Sequence, residues 1–565
     1  MRTPGLILAF SAVAMAGAIA PDLQHELALA GDDDLLPVFV LVQGGLDDSW
    51  IGSVTAGMTR AERQAFVVDA LQDMAAVSQA GVLDEISRWD EGSVSGTQGH
   101  WLANAVYCEA SPALIAALAA RTDVVLVESA ADPDAGLIEP VDRHPATGGE
   151  LDKAIVWSVT KINADDVWAL GYDGTGVVVG VIDTGTDYEH TDLANNMWDD
   201  GSGHCGYDFY NDDWDPMDDY GHGTHVSGSV LGDGTGGTQT GVAPGAQCMA
   251  LRINYYSGGE NTWIEAMEFG TSNGAAVLTM SLGSTHGNTT LRNAEANLLT
   301  AGVFHSVAAG NSGPGIGTVL SSGDAPPPWF HPQQTQHGGQ TAVVTIGATD
   351  TNDTVASFSS RGPVTWWPDY TAAAPLIDPD VSGPGVNVVS TSWGGGYETM
   401  SGTSMATPHV AGVAALMLDA NPNLTVSQID QIMEQTAVDL LPTGKDNATG
   451  SGRIDALAAV QAAIAVGVET ALEPVVAPGL AMSAVHPNPV SETALFEIYT
   501  GEAGRIEIEV LDLSGRVVAG STLGEVEPGT HAFGWTVPSG LGNGIYFIRS
   551  TVGNVSDTAR MTVVR

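Results

Sequence analysis

Three short segments carry side chains able to make and break acyl bonds. Val179-Gly-Val-Ile-Asp183-Thr-Gly185 ends an apolar run in a carboxylate, His222-Gly-Thr-His225-Val-Ser-Gly228 offers two imidazoles, and Ser401-Gly-Thr-Ser404-Met-Ala-Thr-Pro-His409 offers hydroxyls ahead of an apolar stretch. A serine hydroxyl is a poor nucleophile at neutral pH until a base takes its proton, and a neutral imidazole is the usual base. That base in turn needs a group to hold its tautomer and to stabilise its cation, a role a carboxylate fills. A fourth segment, Val307-Ala-Ala-Gly-Asn311-Ser-Gly, places an amide after a strand-like run and a glycine. The three cysteines, Cys108, Cys205 and Cys248, stand beside no histidine in a nucleophile pattern, which argues against thiol chemistry.

These groups need a scaffold, and 565 residues suffice for several domains. The net charge is −49 with only three lysines, Lys153, Lys161 and Lys445. So acidic a chain repels nucleic acid and anionic membranes, and neither is expected as a partner. Residues 1–20 read as an export signal: Arg2 supplies charge, Leu6 to Ala20 is apolar but short, and Ala16-Gly17-Ala18 resembles a cleavage site. No later run approaches the ~20 apolar residues of a membrane span.

Residues 35–130 alternate strand and helix. Pro37 to Gln43, Trp101 to Cys108 and Asp123 to Glu128 read as strands, Thr59 to about Arg88 carries helical periodicity, and Ser111-Pro112 opens a second helix. A polar stretch, 131–152, reads as a linker and processing region. Over 153–465, apolar strands (Val177–Ile182, Gln247–Ile253, Ala276–Met280, Val303–Ala308, Ala342–Ile346) alternate with helical segments, which predicts a parallel sheet with helices on both faces. Thr403 to Leu418 reads as a buried helix with Pro408 near its first turn. Residues 466–482 form a second linker, Pro-rich from Leu472 to Gly479. Residues 483–565 alternate with a period of two between glycine-rich turns, predicting an all-β antiparallel sandwich of about seven strands.

The three segments, in the order Asp, His, Ser, together resemble the signatures of the subtilases, and the resemblance runs from about Val156 to Ala465. It implies a three-layer α/β domain and a secreted serine endopeptidase working through an acyl-enzyme. Asp183, His222 and Ser404 would be its triad, and His225 a packed structural histidine. Asn311 and the Ser404 N–H would be the oxyanion donors. Ser281-Leu282-Gly283 resembles the strand that pairs with extended peptide substrate, and Ala309-Gly310 the opposite wall. Their small residues leave room for a large apolar or aromatic side chain before the scissile bond. The preceding α/β unit resembles the family's ferredoxin-like propeptide, implying an autoprocessed precursor whose own propeptide is an intramolecular inhibitor.

Counted back from His222, Asp208, Asn211, Asp213 and Asp215 fall where some subtilases hold structural Ca²⁺, and clustered hard oxygen ligands suit that ion. The family sheet would also set Cys205 and Cys248 on neighbouring strands, implying a disulfide. At the C-terminus, His486-Pro-Asn-Pro489, Val510 to Arg516, Gly544-Ile-Tyr546 and a basic last residue resemble sorting tails of type IX secretion, with the secretion machinery as implied partner. The insertion Ser322 to Gln340 reads either as a substrate-facing loop or as surface decoration. A rival reading of the whole chain is a catalytically silent binding or matrix protein on the same scaffold.

Overall fold

The computed structural model describes residues 17–563 other than 47–50, 53, 56, 131–134, 152–153, 256–258, 286, 335–339, 366–373, 441, 467–479, 483–489, 491–492, 501–502, 512–515, 527–528, 539–540, 542–543 and 553–554. Most of the export signal, the Pro-rich linker and the His486–Pro489 motif therefore lie outside the described residues. The chain divides into two units, Met1–Val466 and Gly467–Arg565.

The first unit opens with a five-stranded sheet ordered β1-β5-β2-β4-β3, formed by β1 (Ala18–Ile19), β2 (Leu36–Val42), β3 (Val94–His100), β4 (Ala105–Ala110) and β5 (Val124–Ser129). The strand expected from Trp101 begins at Ala105, because residues 101–104 make the turn from β3, a strand absent from the sequence reading. β1 lies inside the expected export signal and pairs with β5. The expected long helix is two, Arg60–Ser78 and Ala80–Ile86. Thr59 and Glu62 close a capping box on the first, and Ser111 caps Pro112–Ala119 as anticipated.

Two short strands follow, β6 (Gly136–Leu137) and β7 (Asp142–Pro145), within the expected linker. The main sheet then takes β8 (Val178–Asp183), β9 (Gly206–Asp208), β10 (Gln247–Arg252), β11 (Val277–Met280), β13 (Phe304–Ala308), β14 (Val343–Thr349) and β15 (Val381–Pro384) in the order β15-β14-β13-β11-β8-β10-β9, every pair parallel. The short β12 (Leu282–Gly283) leaves this sheet to pair with β6. Helices cover the sheet, so its central strands are buried along nearly their whole length and read as unbroken apolar runs. Thr403–Ala420 runs through the core beside His222–Leu231, while Glu260–Ser272 and Thr289–Ala301 pair with each other.

The second unit holds β18 (Leu480–Met482), β19 (Thr493–Thr500), β20 (Gly504–Leu511), β21 (Val517–Val526), β22 (Gly529–Thr536), β23 (Gly544–Val552) and β24 (Val555–Val563). They form antiparallel sheets ordered β18-β19-β22 and β21-β20-β23-β24. Phe496 and Ile498 of the first share a core with Ile506, Ile508, Val510 and Ile548 of the second.

Candidate active site

Asp183 ends β8, at the carboxyl edge where parallel sheets present functional groups. Its Oδ1 lies 2.8 Å from His222 Nδ1, and both side chains are inaccessible to solvent. Burial opposes charging the His222 ring, but the charge and hydrogen bond of Asp183, with Asp218 and Glu139 adding, raise its pKa above the ordinary value. His222 opens the helix His222–Leu231 after Gly221, whose φ of 98° is a conformation that favours glycine. A Cβ at Gly221 would also meet the Arg143 guanidinium at 2.5 Å.

Asp218, four residues upstream of His222 and read only as part of an acidic run, organises this corner. Its buried carboxylate accepts from Thr184 Oγ1, the N–H groups of Tyr220, Gly221 and Thr224, and Thr224 Oγ1 at 2.6–2.9 Å. Burial raises its pKa and those hydrogen bonds oppose the rise. His225 has a different fate on the same helix. Its Nε2 meets the Val388 carbonyl at 3.1 Å, and burial pushes its pKa down to about 3, so it is a neutral packing group.

Ser404 is the second residue of the helix Thr403–Ala420 and is fully buried. Pro408 lies in the second turn and not the first; lacking an N–H, it cannot bond the Ser404 carbonyl four residues back. Ser281 Oγ donates to that carbonyl at 3.2 Å. Asn311 follows β13, and its Oδ1 accepts from Thr403 N and Oγ1 at 2.9 and 3.0 Å, which aims its Nδ2 away from the helix. The sequence pattern carried no signal for Thr403 or Asp218 as orienting groups, because both act across the tertiary structure.

An extended strap of the chain crosses these groups. β6 pairs antiparallel with β12, Leu137 opposite Leu282 and Gly136 opposite Gly283. Leu137 N donates to the Tyr255 carbonyl at 3.3 Å and Ile138 N to the Ser281 carbonyl at 3.2 Å. Ser404 Oγ donates to the Ile138 carbonyl and Asn311 Nδ2 to the Glu139 carbonyl, both at 2.9 Å. Hydroxyl and amide thus address consecutive carbonyls, and His222 Nε2 has no hydrogen-bond partner among the described residues. Beyond Pro140, Val141 N bonds the Ser401 carbonyl and β7 pairs with β17 (Tyr397–Ser401).

Two expectations meet a different arrangement among the described residues. The side chains of Asp208, Asn211, Asp213 and Asp215 are engaged separately. Asp208 accepts from Tyr210 N, Asn211 N and Asn211 Nδ2 and pairs with Arg252 at 3.3 Å. Asp213 accepts from Asp215 N, and Asp215 accepts from Tyr188. Those oxygens serve local turns, and no group of three or more His, Cys, Asp or Glu among the described residues is placed to share a metal. Cys205 and Cys248 are free thiols, like Cys108. The register of β9 on β10 sets Gly206 opposite Ala250, so Cys205 falls beside Met249, while Cys248 Sγ turns to Ser227 Oγ at 3.7 Å. The described part of the Ser322–Gln340 insertion is tied to the helix Val426–Thr436 and its surroundings, with Ser427 donating to Pro328 and Gln334 accepting from Lys445.

The subtilase family matches over residues 174–452, which contain Asp183, His222, Asn311 and Ser404. Subtilisin DY of Bacillus licheniformis is 36% identical over 313 residues, covering 55% of this chain and all of its own length. Subtilisin E of Bacillus subtilis (strain 168) is 31% identical over 409 residues, covering 72% of this chain and 92% of its own. The thermophilic serine proteinase of Bacillus sp. (strain AK1) is 37% identical over 283 residues, covering 50% and 61%. With this likeness over the segment that holds the buried Asp–His pair, the serine and the amide, the chain belongs to the subtilase family and is a subtilisin-like serine peptidase.

Proposed function

We propose that the chain is a secreted endopeptidase that matures by cutting its own leader, with Asp183, His222 and Ser404 as triad and Asn311 as oxyanion donor. One observation carries this reading: Ser404 Oγ and Asn311 Nδ2 both engage backbone carbonyls of one extended strand, beside the buried Asp183–His222 pair. In the reaction the Ser404 hydroxyl turns to His222 Nε2, gives up its proton and attacks the peptide carbonyl. The oxyanion settles against Asn311 Nδ2 and the N–H of Ser404 at the helix start. Asp183 stabilises the imidazolium, which protonates the leaving amine, and water then hydrolyses the acyl-enzyme.

Residues 35–130 act as the inhibitory leader and 131–152 as the processing region, with substrates bound as added strands on β12. The C-terminal unit addresses the chain to a secretion machinery. No helix among the described residues is long and apolar enough to cross a membrane. Against the silent-scaffold alternative stands the presence of all three triad groups and of Asn311. Incubation with casein and a serine-directed fluorophosphonate tests the reading: turnover with label on Ser404 is expected, and an unlabelled, inactive mature chain would overturn it. N-terminal sequencing of secreted protein locates the leader cut and the signal cut.

A further inference from the structure

One side chain, Leu320, intrudes on the room expected before the scissile bond. Asn311 Nδ2 meets the Glu139 carbonyl, but the β6–β12 register, the Ile138 N–H on the Ser281 carbonyl and the Ile138 carbonyl on the nucleophile Ser404 Oγ together mark Ile138 as the residue on the acyl side of the cut. The subtilase resemblance sets such a residue between two walls, Ser281–Gly283 on one side and Ala309–Asn311 on the other. The gap between those walls is the socket for its side chain. Both walls carry glycine, and Gly310 has a φ of 107°.

Leu320 fills the gap from the loop that follows Asn311. A Cβ built on Gly283 would come within 2.8 Å of Leu320 Cβ and 2.9 Å of its Cδ1. One built on Gly310 would come within 2.9 Å of Leu320 Cγ and 3.0 Å of its Cδ1. The leucine therefore touches both glycines at once. Its backbone is stitched to each wall: Leu320 N bonds the Ala309 carbonyl at 3.0 Å, and Ser321 and Ser284 exchange N–H···O bonds at 2.8 and 2.6 Å. Withdrawing Leu320 to admit an aromatic ring would break those bonds or force it off its rotamer, and close-packed apolar sites resist such overpacking.

We propose that Leu320 is the residue that sets specificity at this subsite: it shortens the socket, so the enzyme cuts after small and medium aliphatic residues and discriminates against Phe and Tyr. The leader's own residue at that place, Ile138, is of the accepted size and is 5% exposed. The inference rests on the peptidase reading above, and the test keeps the two apart. Mature enzyme is active-site titrated with the fluorophosphonate, then assayed on fluorogenic peptides that differ only in Ala, Val, Ile, Phe or Tyr before the cut. Wild type is expected to favour the aliphatic peptides over the aromatic ones by at least about tenfold in kcat/KM. Leu320→Ala and Leu320→Gly are expected to raise the Phe-to-Ala ratio by about tenfold or more, the larger gain with glycine. Titrated wild type that prefers Phe or Tyr overturns the proposal whether or not the variants fold. A ratio unmoved by either folded variant does so too. Absence of both label and turnover removes the peptidase reading and the inference with it.

Discussion

Residues 17–145, the proposed leader with the start of its processing region, meet the rest of the first unit at two places built on different chemistry. At the cleft, residues 136–145 use backbone: N–H and carbonyl groups pair with β12, Ser281, Ser401 and β17 and meet the catalytic atoms. On the outer helices, the contact is made by side chains. Gln64 Nε2 donates to the Thr271 and Ala275 carbonyls, His100 Nε2 meets Asn261 Oδ1 at 2.7 Å, and Leu102 N donates to Glu268. Glu128 accepts from Thr289 N and from Thr290 N and Oγ1, filling the N-terminus of the helix Thr289–Ala301. Backbone pairing accepts many sequences and is severed by one cut. Buried polar side chains hold only when all partners are met, and they persist after the cut. Under the proposed maturation, cutting the strap and releasing the leader would therefore be separate events.

The sharpest way to separate them is Ser404→Ala. Activity on casein should fall by more than about 10³-fold, and the chain should keep its uncut size in gels. A Ser404→Ala chain that is still cut between the leader and the rest of the protein would refute self-cutting. Asn311→Ala should lower kcat about 10²–10³-fold and slow leader cleavage alongside it, while leaving leader affinity nearly untouched. Equal losses in cutting and in affinity would merge the two contacts into one. Glu128→Ala attacks the other contact. It should weaken added leader's inhibition of mature enzyme by about 1 kcal/mol, near fivefold, because three hydrogen bonds at a helix start lose their acceptor. The rate of peptide hydrolysis without leader should not change.

The smallest effect concerns pH. Burial opposes charging His100, but hydrogen bonding and charge from Glu268, with Asn261 and Glu265 adding, raise its pKa above 6.5 in the docked state. Burial also raises Glu265 and Glu128, against hydrogen bonds that lower them. Each of these groups binds its proton more tightly docked than free, so the stabilisation is full below the free pKa and is lost as pH rises through the docked one. Leader inhibition should therefore weaken as pH climbs from about 6 to above neutral, and His100→Gln should flatten the upper part of that slope. Inhibition constants measured across this range decide it, and a steepening toward acid would reverse the sign.

Reading from sequence reached furthest where function depends on local runs. The strand ending in Asp183, the Gly-flanked His222 and Ser404, and the alternation of parallel strands are patterns of neighbouring residues, and the main sheet follows them. It could not separate the uses of one residue type. The carboxylates from Asp208 to Asp219 look alike in sequence. Yet Asp208 and Asp213 close turns, Asp215 meets Tyr188, and Asp218 fastens the start of the His222 helix. Strand β3 escaped notice because Val94–His100 is mostly exposed and polar, with no apolar alternation to mark it.

By itself, then, the sequence determined the kinds of group available and the elements that carry them, because hydrophobic periodicity and turn chemistry act over a few residues. Only the tertiary structure decided which groups meet. The β9–β10 register, set by pairing across the sheet, put Gly206 opposite Ala250 and left Cys205 and Cys248 as free thiols. The return of one loop put Leu320 between glycines 37 and 10 positions away, and β6 beside β12 brought a strap to Ser404 from 266 residues upstream. Contacts at such separations depend on how whole elements stack, which no short window of residues encodes.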